Sequence, residues 1–132
     1  LSLLKPIEYF EEIDVASGVK VMYKDAGHIL GSAFIEIWVE ENDQKFKLVF
    51  SGDLGRPKQL LVKDPNCSEI ADFLFLESTY GDRDHKNETQ SREELAEAIN
   101  YSYSHGEKVI IPAFAVERTQ EVIYSLYLLY KE

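Results

Sequence analysis

Three side chains that can bind a metal ion or transfer a proton, His28, Asp53 and Glu77, each follow an apolar run of the sequence. The spacing is regular, with 25 residues from His28 to Asp53 and 24 from Asp53 to Glu77. In enzymes such groups are commonly carried by loops that a rigid scaffold holds in place. The pattern therefore predicts an enzyme whose functional groups lie on loops at one edge of a sheet. One histidine and one aspartate do not complete a metal site.

His28 and Asp53 each allow two interpretations. Gly27 and Gly31 flank His28, so the backbone can turn tightly there and bring the imidazole, the commonest zinc ligand, to a cleft. The alternative, a structural histidine in a glycine-flanked turn, is the more frequent case. The carboxylate of Asp53 can bridge two metal ions with its two oxygens. It also fits an ordinary turn beside Gly52.

Glu77 directly follows four apolar residues, which predicts a half-buried carboxylate at the end of a strand. A carboxylate in that position is usually paired, and such groups cluster at functional sites. The alternative is a turn cap through backbone groups of Ser78 and Thr79. Taken one at a time, the three residues are weak indicators of function.

Composition limits the class of protein. The 132 residues are 45% hydrophobic and 12% aromatic, which is enough for an ordinary domain core and argues against disorder. No apolar run approaches the roughly 20 residues of a membrane-spanning helix. Cys67 is the single cysteine, so no disulfide can form within the chain, and a cytoplasmic location is expected.

The charge balance bears on nucleic acids. The net charge is −10, from 14 Lys and Arg against 24 Asp and Glu. That balance argues against a protein that grips phosphates nonspecifically through a basic face. It argues less against a metal-dependent nuclease, because bound divalent ions supply positive charge locally.

The first half of the chain is strand-rich. Residues 19–23 alternate between apolar and polar types, and residues 33–40 and 45–50 predict a hairpin with one buried face. Residues 71–76 form a short apolar run, which predicts a strand covered on both faces.

The second half changes character. It predicts a helix from an N-cap at Ser91 to about Ser104, ended by Gly106, with His105 in a structural role at the helix end. A buried strand over residues 109–114 and a second helix from about Val116 should follow. The order strand, helix, strand, helix predicts an α/β layer with parallel pairing. His85 is expected in a surface loop.

Four segments, in this order, resemble the β-CASP branch of the metallo-β-lactamase superfamily, a group of RNA- and DNA-processing nucleases. They are residues 25–33 (DAGHILGSA), 51–56 (SGDLGR), 76–83 (LESTYGDR) and 111–121 (IPAFAVERTQE). The first two are similar to the third and fourth metal-binding motifs of the superfamily. The third is similar to the acidic motif that opens the β-CASP insertion.

The resemblance implies a fold. Residues 1–77 would form part of a metallo-β-lactamase αββα sandwich, and residues 78–132 the start of a Rossmann-like β-CASP domain.

The resemblance also implies a mechanism and roles for individual residues. Two zinc ions would clamp a phosphodiester and generate a hydroxide nucleophile. His28 would be a metal ligand, and Asp53 a bridging ligand and catalytic residue. Glu77, the other catalytic residue, would orient a ligand histidine or assist proton transfer. The residues expected to contact substrate phosphate are Ser78, Thr79, Tyr80 and Arg118.

The remaining family ligands do not occur in this sequence. A His-x-His-x-Asp-His motif is expected upstream of residue 1, and further histidines beyond residue 132. We therefore expect an internal piece of a longer protein, unable by itself to bind two zinc ions or to cleave a substrate. The full-length protein is expected to act on single-stranded RNA as an endonuclease, a 5′-exonuclease or both, and no association with a membrane is expected. We also expect a homodimer, although no pattern of residues in the sequence indicates one.

Two other functions stay open. A catalytically inactive β-CASP-like subunit could serve as a scaffold in an RNA-processing complex, although it would be expected to have lost some of His28, Asp53 and Glu77. A lactamase-fold hydrolase of small esters or thioesters is disfavoured by the β-CASP-like second half. The missing histidines would separate nuclease from scaffold, and a substrate panel would separate nuclease from small-molecule hydrolase.

Overall fold

The structure is a computed structural model that describes residues 2–84 and 87–131. The chain divides into two compact units, Leu1–Ser78 and Thr79–Glu132. The first unit carries a five-stranded sheet and the second carries two helices. This is the α/β composition that the sequence predicts. The division falls one residue from the predicted domain boundary.

The strands of the sheet lie side by side in chain order. They are β1 (Ile13–Ala16), β2 (Val19–Asp25), β3 (Ala33–Glu41), β4 (Gln44–Phe50) and β5 (Phe73–Phe75). The strands β1 to β4 pair in antiparallel fashion, and β5 pairs with β4 in parallel. The predicted strand preceding His28, the predicted hairpin and the predicted strand preceding Glu77 are thus confirmed, whereas β1 was not predicted.

The hairpin between β3 and β4 closes on Asn42 and Asp43, which have φ values of 51° and 61°. Positive φ at both central residues is the requirement of a type I′ turn, whose twist matches that of the flanking strands. Asn and Asp tolerate this left-handed conformation better than other side chains. The turn fixes the pairing of Glu41 with Gln44 and of Trp38 with Lys47.

A buried ion cluster joins the sheet to the long connection between β4 and β5. Glu36 on β3 is 1% exposed, and its Oε1 lies 3.2 Å from Nζ of Lys24 and 2.8 Å from Nζ of Lys47. Lys24 also donates to the carbonyl of Cys67, and Lys47 donates to the hydroxyl of Ser68. The cluster therefore ties three strands to the connection that leads from β4 to β5.

The prediction that β5 is covered on both faces is wrong. Phe73, Leu74 and Phe75 are each more than half exposed. Among the described residues of the first unit, β5 is the edge strand and β4 is the only strand paired with it. An apolar run in the sequence indicates that a strand tends to be buried, but it does not show whether a helix or another sheet packs over that strand.

The second unit contains α1 (Glu88–Ser104) and α2 (Arg118–Lys131). Asn87 caps α1, because its side-chain oxygen accepts a hydrogen bond of 2.9 Å from the backbone N–H of Gln90. The predicted cap at Ser91 is wrong, since that residue lies inside the helix and its hydroxyl donates to the Asn87 carbonyl. Asn is as good an N-cap as Ser and occurs four residues earlier.

The predicted end of α1 is confirmed. His105 is the C-cap, and Gly106 follows in the left-handed conformation with a φ of 68°. The His105 ring lies 4.2 Å from the Tyr101 ring, and its Nδ1 lies 2.8 Å from the Tyr101 carbonyl. His105 therefore has the structural role expected for it. His85 lies outside the described residues.

The predicted strand over residues 109–114 is wrong. This segment has no regular secondary structure, and Ile110 and Phe114 are largely exposed. The described part of the second unit holds no strand with which it could pair. The backbone then turns at Glu117, which has a φ of 70°, and α2 begins two residues after the predicted start.

Neither described helix is long and apolar enough to cross a membrane.

Candidate active site

The register of the sheet brings the C-terminal ends of β2, β4 and β5 to one edge. The backbone pairs that fix this arrangement are Asp25 with Ala33, Ile35 with Phe50, and Phe50 with Phe75. The loops that follow these three strand ends carry His28, Asp53 and Glu77 in turn. The prediction that three candidate residues lie on loops at one edge of a sheet is confirmed.

The loop that carries His28 is folded by short-range hydrogen bonds. The backbone N–H of Gly27, which has a φ of 61°, donates to the carboxylate of Asp25 over 2.8 Å. The hydroxyl of Ser32 accepts hydrogen bonds from the backbone N–H groups of both His28 (3.0 Å) and Ile29 (3.2 Å). These contacts close the loop around the half-buried His28.

The His28 loop lies directly against the loop that carries Asp53. The backbone N–H of Gly55 donates to the carbonyl of Ala26 over 2.8 Å, and the side-chain amide of Gln59 donates to the carbonyl of Gly27 over 2.7 Å. A Cβ on Gly55 would overlap the Gly27 carbonyl. The two backbones therefore touch, and only glycine fits at position 55.

The Asp53 and Glu77 loops are joined by side-chain contacts. The Glu77 Oε1 accepts a hydrogen bond of 2.7 Å from the backbone N–H of Leu54. The buried hydroxyl of Ser51 accepts from the Glu77 backbone N–H over 2.9 Å and donates to the Gly52 carbonyl over 2.7 Å. The Asp53 carboxylate is exposed, and residues 2–84 and 87–131 offer it no hydrogen bond or ion pair. The loop is thus held in place while one carboxylate stays open to a ligand.

An open groove of about 600 Å³ lies beside these two carboxylates. Its lining residues are Phe50, Ser51, Gly52, Asp53, Leu74, Phe75, Leu76 and Glu77. The Phe50 and Phe75 rings are stacked with centroids 4.4 Å apart, so the groove is bordered by an aromatic pair as well as by the carboxylates of Asp53 and Glu77.

The donor types at this edge suit zinc, but their number is too small. Imidazole nitrogen and carboxylate oxygen are ordinary zinc ligands, and catalytic sites use three protein ligands for each ion. Nowhere in the described part of the chain do three or more His, Cys, Asp or Glu side chains form a group that could hold a metal ion. His28 and Asp53 could therefore contribute to a metal site but do not form one.

Sequence comparisons place the chain among known proteins. No family model matches it. A ribonuclease of Thermus thermophilus, TTHA0252, is 39% identical over 127 residues, which is 96% of this chain and 28% of the relative. An RNase J-like protein of Methanocaldococcus jannaschii is 39% identical over 89% of this chain and 28% of its own length. The endoribonuclease YSH1 of Eremothecium gossypii is 32% identical over 93% of this chain and 15% of its own length.

The chain belongs to the β-CASP branch of the metallo-β-lactamase superfamily. The family resemblance of the four sequence segments is thereby confirmed. This β-CASP segment spans less than a third of the length of each of the three relatives.

The residues predicted to bind substrate fall in both units of the β-CASP segment. Ser78 is exposed at the end of the first unit, and Thr79 and Tyr80 are exposed at the start of the second. Arg118 is the first residue of α2, where its guanidinium lies 3.4 Å from the Glu121 carboxylate. Their contact with substrate stays a prediction.

Sequence reasoning missed the residues that hold the loops of this β-CASP segment together. Ser32, Ser51 and Gly55 all lie inside the motif segments, next to the candidate ligands, yet none carries a metal-ligating group. Their small size beside a candidate ligand is the signal that could have identified them. A serine hydroxyl can close a turn, and a glycine lets a second backbone approach closely.

Proposed function

We propose that the full-length protein containing this β-CASP segment is a zinc-dependent ribonuclease that cleaves single-stranded RNA. The observation that carries the proposal is the convergence of His28, Asp53 and Glu77 on three interlocked loops at one edge of the sheet. The 39% identity to a Thermus thermophilus ribonuclease over nearly the whole chain supports it.

His28 and Asp53 are the residues of this segment that would hold zinc. Further ligands would come from other parts of the full-length protein, because two donors do not complete a site. When bound, two zinc ions supply Lewis-acid stabilisation of a phosphodiester and lower the pKa of a bound water. The exposed Asp53 carboxylate has two oxygens available for such binding.

Glu77 would act beside this site and not as a ligand. Its Oε1 is oriented by the Leu54 backbone N–H, and its own backbone N–H is held by the Ser51 hydroxyl. A half-buried glutamate held at its backbone N–H and at one carboxylate oxygen keeps one geometry, as proton transfer or the orientation of a ligand histidine requires. Glu77 borders the same groove as Asp53.

Recognition of RNA would depend on local contacts, since the chain carries a net charge of −10. Ser78, Thr79, Tyr80 and Arg118 supply hydroxyl and guanidinium donors suited to phosphate oxygens. A cytoplasmic location and a homodimer stay predictions.

The test uses the full-length protein and one single-stranded RNA, labelled in separate samples at its 5′ and 3′ ends. DNA of the same sequence and a small ester serve as matched substrates. We expect cleavage of the RNA, loss of activity with a zinc chelator, and recovery on addition of zinc. Internal products would indicate an endonuclease, and release of 5′ mononucleotides would indicate a 5′-exonuclease.

Three results would contradict the proposal. Intact RNA in the presence of zinc would favour an inactive scaffold subunit. Hydrolysis of the ester without cleavage of RNA would favour a small-molecule hydrolase. RNA cleavage that persists without bound metal would remove the role of zinc.

A further inference from the structure

Tyr9 reaches the His28 loop from a distant part of the first unit. Its hydroxyl donates a hydrogen bond of 2.8 Å to the backbone carbonyl of Ser32, 23 residues along the chain. The next residue, Phe10, donates its backbone N–H to the carbonyl of Tyr23 on β2 over 2.9 Å. The segment around Tyr9 is therefore anchored both to the sheet and to the loop.

Ser32 is the junction of this loop. Its hydroxyl accepts from the backbone N–H groups of His28 and Ile29. Its carbonyl accepts from the backbone N–H of Ala26 (3.2 Å) and from the Tyr9 hydroxyl. One residue thus connects the entry of the loop, the His28 backbone and the N-terminal segment.

The Tyr9 hydroxyl is held in its donating form. Burial raises the pKa of Tyr9 above its ordinary value of 10.0, and the negative charge of Asp25 raises it further. A phenol with the ordinary pKa is already protonated at neutral pH, and the raised pKa of Tyr9 extends this protonated range upward. The hydrogen bond to the Ser32 carbonyl does not depend on pH there.

The loop needs such support because of its glycines. Gly27 and Gly31 have φ values of 61° and 80°, a conformation that glycine adopts at little cost and leaves just as easily. A metal ligand on a flexible loop would lose conformational freedom on binding. Hydrogen bonds that fix the loop beforehand remove that cost.

We infer that Tyr9 and Ser32 are positioning residues for His28, holding the loop in the conformation that presents the imidazole. The inference rests on the proposed function, in which His28 is a zinc ligand. Neither residue would touch zinc or RNA. Supporting partners of metal ligands typically contribute about 10- to 100-fold in metal affinity.

Two pairs of variants of the full-length protein test the inference. Tyr9→Phe removes only the hydroxyl, and Tyr23→Phe is its control. Tyr23 lines the same groove as Tyr9, and across residues 2–84 and 87–131 its hydroxyl makes no hydrogen bond. Ser32→Ala removes the acceptor of the two loop amides, and Ser32→Thr restores a hydroxyl.

Zinc affinity is measured by competition with a chelator, and hydrogen exchange of the His28 and Ile29 amides is measured in the zinc-free protein. We expect Tyr9→Phe and Ser32→Ala to weaken zinc binding by about 10- to 100-fold. Ser32→Ala should speed exchange of both amides by about five- to tenfold, because each loses its acceptor. At saturating zinc, kcat should fall while KM for RNA stays within about twofold, since the substrate contacts are untouched. Tyr23→Phe should match the unmodified protein, and Ser32→Thr should recover most of the loss.

The outcomes separate this inference from the proposed function. If Tyr9→Phe and Ser32→Ala keep normal zinc affinity, and Ser32→Ala keeps normal amide exchange, in a protein that cleaves RNA, the positioning role is wrong and the function stands. Equal losses of zinc affinity in Tyr9→Phe and Tyr23→Phe would show that the effect does not come from the hydrogen bond between Tyr9 and Ser32, and would also overturn the inference. If the unmodified protein binds no zinc, the proposed function fails. Amide exchange in Ser32→Ala still decides in that case whether Ser32 orders the loop.

Discussion

The side chain of Glu77 accepts a hydrogen bond from the backbone N–H of Leu54, the residue after Asp53, with a donor–acceptor distance of 2.7 Å. A candidate catalytic carboxylate therefore also fixes the loop that carries a candidate metal ligand. Substitution can separate the two roles, because an amide oxygen accepts the same hydrogen bond but cannot take up a proton at neutral pH.

Glu77→Gln and Glu77→Ala should therefore differ in stability but not in activity. Glu77→Gln keeps an acceptor for Leu54, so we expect the free energy of unfolding to stay within about 0.5 kcal/mol. Glu77→Ala leaves that N–H without its partner and should cost about 1–2 kcal/mol. Both should lower kcat on RNA by about 10²- to 10⁴-fold if Glu77 transfers a proton. Thermal unfolding and RNA cleavage by the full-length variants measure the two effects, and normal turnover by Glu77→Gln would exclude proton transfer.

Asp53→Asn should remove activity without loss of stability. The Asp53 carboxylate is exposed and has no hydrogen bond or ion pair within the described chain, so the zinc-free protein should unfold within about 0.5 kcal/mol of the unmodified one. Under the proposed function Asp53 would be a zinc ligand, and a neutral amide in its place should bind zinc far more weakly than the carboxylate. Elemental analysis should then show less zinc per chain, and RNA cleavage should fall.

The matched control is Asp43→Asn in the hairpin turn. Asp43 is exposed and has a φ of 61°, which Asn adopts readily, so zinc content and activity should not change. Equal zinc content in the unmodified protein and in Asp53→Asn would remove Asp53 from the metal site.

Gly55→Ala should separate the His28 and Asp53 loops. The new Cβ would overlap the backbone carbonyl of Gly27, which cannot rotate away as a flexible side chain could. We expect a loss of about 1–3 kcal/mol in the free energy of unfolding, typical of an overpacked site, with weakened zinc binding. The control is Gly106→Ala, where a Cβ meets nothing within 4 Å and only the φ of 68° opposes it. That variant should lose about 1–2 kcal/mol and keep full zinc affinity. Denaturant unfolding and chelator competition distinguish the two.

The sequence predicted the elements whose signals are local. Strand alternation identified the hairpin, and Gly106 marked the end of α1, because turn geometry and helix termination depend on a few adjacent residues. The shared edge of the three loops followed from apolar runs that each end in a polar turn. The Asn87 cap was missed because Ser91 offers the same capping chemistry four residues later.

Features that depend on distant residues could not be predicted. Glu36 alternates with apolar neighbours on β3 and has the pattern of a solvent-facing charge, yet it is buried between two lysines from adjacent strands. The contact of Gly55 with Gly27 joins two loops 28 residues apart. The strand expected over residues 109–114 had the right composition, but strand formation also requires a partner, which composition does not reveal.

The Glu36 cluster makes stability depend on pH in a predictable direction. Burial alone would raise the pKa of Glu36, but hydrogen bonds from Lys47, Ser68 and Lys24 and the charge of Lys24 outweigh it, so the pKa is lowered from 4.5. A carboxyl whose folded-state pKa is depressed contributes stability above its unfolded-state pKa, and this contribution disappears as the pH falls through the folded value. The first unit should therefore lose stability below about pH 4.5.

Glu36→Gln tests this relation, with Glu40→Gln on the same strand as its control. Removing the buried charge deprives Lys24 and Lys47 of their shared ionic partner, which should cost about 3–5 kcal/mol at pH 7. Glu40 forms an exposed pair with Lys45, so its replacement should change stability by less than about 0.5 kcal/mol. Denaturant unfolding of both variants at pH 7 and at successive values below 4.5 measures the effect. The gap between Glu36→Gln and the unmodified protein should narrow as the pH falls, because protonation of Glu36 produces the same loss of charge. A gap that stays constant down to low pH would show that the ion pairs with Lys24 and Lys47 contribute nothing to stability.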